Sequence, residues 1–371
     1  MRPYTMRQYY LDNLRWATVL IVVIFHLLWI YSWISDFYIV GLQVPAVIDF
    51  LYLVSYWMMP LMFVIAGIST SYALQKRTSK EYLKERFSKL LVPFIAGMVL
   101  VIPTVTYFAR IYRGSTGNFI DQFIYFFTNF SAADQYAGGF TFAHLWFILF
   151  LFMYSLIIIP IIILYKKSKR NIPFEKTNFI LLMLLFFIPL IGSYDYLIGL
   201  DIGGKSFCAN LAFFLIGYFI ISREEILNKI EKYKFITSAV AIALCTLLVL
   251  SYHGIRLDLP DFVQNMIIYL FIWSITLAFL GLGKSYFNFR NKTTDYLSAS
   301  SFAVYIFHMS WVIGICYWTM LHIDDPVIQI LVTLVLSLPA TFLTYEVVRR
   351  IPVVRSLFGI KPPKKEPKTD R

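Results

Sequence analysis

Charge is scarce in this chain. Asp, Glu, Lys and Arg together make up 15% of its 371 residues, well below the roughly 25% of ordinary soluble domains. Cysteine is scarcer still: Cys208, Cys245 and Cys316 each stand inside an apolar run. Three such residues form neither a disulfide framework nor a metal-binding spacing, and they read as small apolar fillers. Histidine occurs five times, with no HExxH pattern, so no metal is expected. A GxSxG elbow, a Walker loop and a strand-borne GxGxxG are also missing, which removes the usual signatures of hydrolases, P-loop NTPases and dinucleotide enzymes.

What fills the chain instead is hydrocarbon. Hydrophobic residues are 59% and aromatic residues 19% of the total, and the mean hydropathy is +0.69. That much apolar surface cannot be hidden inside a globule of this size, so lipid is the expected solvent. Ten runs are long enough to cross about 30 Å of hydrocarbon: 14–34, 50–75, 90–110, 142–165, 177–197, 205–222, 234–252, 262–283, 298–320 and 326–348. The expected fold is an all-α polytopic membrane bundle of about ten transmembrane helices over residues 1–348, with a basic tail over 349–371. The first run is too long for a signal-peptide core and no small-residue cleavage site follows it, so it is expected to stay as a span.

The few charges are sorted by side. With the N-terminus inside, segments 1–15, 76–89, 166–176, 223–234, 284–292 and 349–371 hold 29 of the 33 Lys and Arg. Only Arg110, Arg113, Lys205 and Arg256 are left for the outer side. That side carries carboxylates, among them Asp36, Asp49, Asp195, Asp201, Asp258, Asp324 and Asp325. This alternation predicts both termini in the cytosol, as a multi-pass protein of the cell membrane. It also accounts for the net charge of +12 without a nucleic-acid partner. One outer connection, 111–141, is long. Its aromatic core NFIDQFIYFFTNF suits an interfacial helix or, alternatively, a lid.

Chemistry-bearing residues are therefore sought inside the spans. Arg15 and His26 stand eleven residues apart in LDNLRWATVLIVVIFH, three turns and about 16 Å along one helical face. Asp12 is placed to pair with Arg15. His308, in the ninth run, is expected at a depth similar to His26. Buried polar groups are costly in a membrane and mark functional sites, although a packing histidine satisfied by a carbonyl is the plain alternative. His144, opening the fourth run, reads as an interfacial anchor or a supporting site residue; His253 and His322 read as solvated. Gly67 reads as a close helix contact, and Glu346 as the partner of Arg349 or Arg350.

These residues in this order resemble acyltransferase family 3, a family of integral membrane enzymes. The carriers are the Asp12, Arg15 and His26 pattern of the first helix, MFVIAGIST with Ala66 where the family has a serine, and KERFSKLLVP. In the last, Arg86 and Lys89 take the place of a basic pair, one arginine being replaced by lysine. FAHLWFILFLF, VYIFHMSW and YEVVRRIPVVRSLFGIKP resemble most the glucan-biosynthesis protein C branch, whose members succinylate periplasmic glucans. No fused outer hydrolase domain is expected.

The resemblance implies transfer of an acyl group, acetyl or succinyl, from cytosolic acyl-CoA to a hydroxyl of an extracytoplasmic glycan, with no permanently bound cofactor. It implies Arg15, Arg86 and Lys89 as the CoA-binding cations and His26 as general base or acyl carrier. His308 would orient the thioester or donate to the oxyanion. A transporter or flippase for a small solute or glycolipid, and a carrier handing the acyl group to a separate outer enzyme, are the competing readings.

Overall fold

The computed structural model describes residues 8–131, 134–167, 177–194, 205–253 and 259–362. Asp195, Asp201, Arg256, Asp258 and the tail from 363 onward lie outside them. The described chain is all-α. In order, the helices are α1 (Tyr9–Trp29), α2 (Ala46–Ser55), α3 (Met58–Lys76), α4 (Ser79–Arg86), α5 (Val92–Leu100), α6 (Ile102–Tyr112), α7 (Phe119–Thr128) and α8 (Trp146–Lys167). They continue as α9 (Phe179–Leu184), α10 (Phe187–Ser193), α11 (Phe207–Ile216), α12 (Glu224–Lys232), α13 (Lys234–Tyr252), α14 (Asp261–Tyr286), α15 (Lys292–His322), α16 (Pro326–Val348) and α17 (Pro352–Leu357).

Eight stretches among the described residues are long and apolar enough to span a membrane, and nine if a bent pair counts as one span. The tenth of the expected runs, 326–348, coincides with α16. One run differs from expectation: the described residues of 177–197 form α9 and α10, parted at Leu185–Phe186. The run 205–222 ends where expected, and the chain there turns by 102° into α12. Composition reports how apolar a stretch is, and it is blind to such breaks.

Two compact units divide the chain. The first takes the chain up to Ile21, Ile48–Lys84 and Phe150–Ser298. Its tightest crossing is backbone on backbone: a Cβ at Gly67 of α3 would strike the Phe214 carbonyl and the Tyr218 nitrogen, and one at Gly217 would strike the Val64 carbonyl. In lipid, where apolar surface gains nothing from association, such close approach supplies the packing energy. The break between α9 and α10 is repaired here as well. The Phe186 N–H turns to Met183, and the Leu182 carbonyl accepts from Trp273 Nε1 at 2.8 Å instead. Irregular backbone is tolerated at membrane depth only under such cover. Asn13, buried in α1, is fully employed: its Nδ2 donates to the Phe287 and Phe289 carbonyls and its Oδ1 accepts from Trp16.

The second unit takes Val22–Val47, Glu85–Leu149 and the chain from Ala299. Its α16 is apolar outward and polar inward. Val327, Leu331, Val335 and Leu343 are exposed, whereas Gln329, Thr333, Ser337 and Thr341 form a buried row four residues apart. Gln329 accepts from Tyr31 (3.0 Å) and Thr333 meets Thr319 (3.2 Å). Helix α7 begins with a capping box between Asn118 and Asp121. It turns Gln122 and Phe126 inward and leaves Ile120 and Ile124 exposed, the outward face of an interfacial helix. Outside the spans, Arg113 clamps the Tyr38 and Phe37 carbonyls at 2.7 and 3.0 Å. Burial pulls its guanidinium below the usual arginine range, and the nearby Asp36 charge opposes that.

Two outcomes follow. Trp273→Phe leaves the Leu182 carbonyl buried without a donor, a cost of about 1–3 kcal/mol that lowers the thermal unfolding midpoint in detergent. Gly67→Leu forces α3 away from Phe214 and Tyr218 and loses folded protein altogether by size-exclusion chromatography; a normal monodisperse yield would show the crossing to be slack.

Candidate active site

Three histidines come together in the second unit. His26 belongs to the last turns of α1, His308 to the middle of α15, and His144 to a single 3-10 turn, Ala143–Leu145, ahead of α8. Ring centroids lie 5.1 Å apart for His26 and His308, 4.8 Å for His144 and His308, and 6.2 Å for His26 and His144. His308 and His144 are buried at 0% and 4% exposure. His26 is half-buried, the most accessible ring of the three. The pairing of His26 with His308 foreseen from the two spans is therefore present. His144 departs from an interfacial anchor: it is a buried member of the cluster.

The reason for that departure lies in the backbone. Ala143 has φ 45°, in the left-handed region, which L-residues with a Cβ adopt at a cost of roughly 1–2 kcal/mol. The turn is held by the Ala143 N–H on Thr141 Oγ1 (3.1 Å) and by the Tyr305 hydroxyl, which donates to the His144 carbonyl. It swings His144 towards α15, where Nε2 meets the Ile306 carbonyl at 3.0 Å. No glycine marks the position, so the sequence carries no signal for it.

The protons of the cluster can be assigned from its acceptors. His308 Nδ1 lies 2.8 Å from the Tyr305 carbonyl and 3.2 Å from that of Val304. A carbonyl only accepts, so Nδ1 carries the hydrogen, and in a neutral ring Nε2 is then an acceptor. That Nε2 lies 3.2 Å from His26 Nδ1, which also faces the Val22 carbonyl at 2.8 Å. Both neighbours of His26 Nδ1 accept, so Nδ1 carries hydrogen and the basic lone pair of His26 resides on Nε2. By the same logic His144 Nε2 donates to Ile306. His144 Nδ1 is a buried acceptor with no partner among the described residues. Phe37 stacks over His26 with ring centroids 6.5 Å apart, on the segment that Arg113 clamps.

The cations foreseen from the sequence are placed as follows. Arg15 shares α1 with His26. Its Nη1 bonds Asp12 Oδ1 at 2.8 Å, and its Nη2 donates to Ser69 Oγ at 3.0 Å. Ser69 in turn donates to the Ile65 carbonyl, so α3 fixes the guanidinium through this hydroxyl. Arg86 ends α4 and is half-buried. Lys89 lies in the π-turn Phe87–Leu91 and pairs with Glu85 at 2.6 Å, an exposed pair of small net worth. Glu346 pairs with Arg349 and Arg350, as foreseen. His253 and His322 are exposed, the former against Asp49 at 2.7 Å.

Comparison with known proteins gives the site a lineage. A family model described as an acyltransferase domain, of the acyltransferase 3 type, matches residues 8–346. Relatives include the proteins named glucans biosynthesis protein C of Salmonella heidelberg (strain SL476), Salmonella typhi and Salmonella enteritidis PT4 (strain P125109). Each is 22% identical over 382 aligned residues that cover 97% of this chain and 96% of theirs. No solved structure matches. The match runs from the start of α1 through all three histidines and nearly to the end of α16, and on that extent the chain belongs to the acyltransferase 3 family of multi-pass membrane proteins.

Proposed function

We propose that the protein moves an acetyl or succinyl group from cytosolic acyl-CoA to a hydroxyl of an extracytoplasmic glycan, with His26 Nε2 as the base. The single observation that carries this reading is the hydrogen bond between His26 Nδ1 and His308 Nε2, because it sets the basic nitrogen of the accessible ring. In the step envisaged, the acceptor hydroxyl oxygen attacks the thioester carbonyl carbon while Nε2 takes the hydroxyl proton. The imidazolium so formed keeps its Nδ1 proton directed at His308. The tetrahedral intermediate then expels the CoA thiolate, which recovers the proton from Nε2.

His308 acts here as a positioning residue. Its own hydrogen is spent on the α15 carbonyls, which supports the orienting role over donation to the oxyanion. Arg15, Arg86 and Lys89 are the cations assigned to the donor's phosphates, and the exposed Glu85 pair gives up Lys89 at little cost. Asp12 and Ser69 hold Arg15 in one rotamer, which reduces the side-chain entropy lost on binding. The membrane is taken to be the cell membrane with both termini cytosolic, from the charge alternation.

The test is CoA release by purified protein supplied with acetyl-CoA or succinyl-CoA and a glucose oligosaccharide. His26→Ala should lose about 10²–10⁴ of the rate with an unchanged unfolding midpoint; an undiminished rate removes the base. His308→Ala should lower kcat with little change in the acceptor KM, and it should shift the ¹⁵N resonances of His26 towards a mixture of tautomers. A pure Nδ1–H tautomer in that variant would mean His308 orients nothing. Solute uptake into proteoliposomes without CoA consumption would instead establish a transporter. A label that stays on the protein until a second enzyme is added would establish a carrier.

A further inference from the structure

Away from the histidines, the second unit carries a groove of about 770 Å³. It follows α15 from Phe307 to Trp318, on a face about a quarter turn round the helix from His308. Eleven residues of helix are about 16 Å, half of a hydrocarbon core of about 30 Å. Along α16 the groove covers Leu336 to Thr344, the half of that helix that leads into Arg349. It is therefore one leaflet long. At its foot lie Val354 of α17 and Phe358, which caps that helix, and the Phe358 ring packs on Phe307 at 4.7 Å.

The lining asks for an apolar ligand. Its hydroxyls are already engaged, Thr104 with Ser310 at 2.6 Å and Thr344 with Trp311 Nε1 at 2.8 Å. The foot asks for an anion. Arg349 and Arg350 share the single carboxylate of Glu346. Arg355 and Lys361 follow within eleven residues, and neither has an ion-pair partner among the described residues. An apolar slot of leaflet length with surplus positive charge at its interfacial end has the complementarity of a phospholipid.

We propose that this groove seats one acyl chain of an anionic glycerophospholipid from the leaflet adjoining α17, with Arg355 and Lys361 on its phosphate. The site is separate from the histidine cluster and does not depend on the reaction assigned there. Trp311 and Trp318, both partly exposed, report on occupancy. The protein is reconstituted in phosphatidylcholine vesicles containing a graded fraction of either dibrominated phosphatidylglycerol or dibrominated phosphatidylcholine. The tryptophan emission lost to quenching is compared with that of the Trp311→Phe/Trp318→Phe variant. Brominated phosphatidylglycerol should reach half-maximal quenching of these two residues at a mole fraction roughly three- to tenfold lower than brominated phosphatidylcholine. The preference should vanish in Arg355→Ala/Lys361→Ala. It should vanish too in Ile315→Phe/Val354→Phe, which fills the slot and keeps the charge. Equal quenching by the two lipids, or a preference that survives either double variant with a normal unfolding midpoint, would overturn the proposal.

Discussion

The histidine cluster depends on where one proton sits, and the carbonyls of two helices decide it. His26 and His308 each direct Nδ1 at carbonyls three or four residues earlier in their own helix. Those carbonyls already serve the helical ladder and accept a second bond through their remaining lone pair. The helix thus sets the tautomer of His308 without a carboxylate, and Val22 and His308 set that of His26 together. Once His308 Nδ1 holds hydrogen, its Nε2 must accept, and the contact with His26 follows. Such an arrangement suits a membrane interior, because a fixed neutral dipole costs far less there than a buried carboxylate would.

Keeping α1 and α15 in that register is a packing problem with no hydrophobic driving force behind it. The second unit solves it with small residues and satisfied hydroxyls. Gly97 brings α5 against Leu145, beside the His144 turn, and Gly314 brings α15 against Phe108 of α6. Tyr31, just beyond α1, reaches both Cys316 of α15 and Gln329 of α16. The buried polar row on α16 is the inverse of a soluble amphipathic helix, and it follows from the same accounting: polar groups need partners, and only the protein interior provides them.

The sequence made the helical class, the tenth span and the His26–His308 pairing legible, because each depends on regular helix geometry. Eleven residues are three turns in any helix, and the depth of a residue follows from its distance to the span's end. Legibility failed where the backbone departs from that regularity. The 177–197 run is apolar from Phe179 to Ile191, yet it breaks at Leu185, and the tryptophan that covers the break lies about ninety residues away. For His144 the sequence leaves an interfacial anchor and a supporting site residue both open; a left-handed alanine carries the ring inward. The sequence gives Ser69 no partner, because its bond to Arg15 appears only once α3 lies beside that residue.

The third imidazole sharpens what the cluster can do. Three neutral imidazoles bring three N–H groups and three lone pairs. All three N–H groups are committed, to the carbonyls of Val22, Tyr305 and Ile306 and to His308 Nε2. Of the lone pairs, His308's is taken by His26, and that of His144 is buried without a donor. The N–H groups of the cluster are therefore all engaged. A site built to stabilise an oxyanion presents the reverse, with hydrogens aimed at the place where negative charge develops. A half-buried ring with its lone pair on Nε2 is what removal of a proton from a hydroxyl requires, or attack on a carbonyl. Both the base and the acyl-histidine routes need that same electron pair on Nε2. What separates them is whether the acyl acceptor or the acyl donor reaches His26 first.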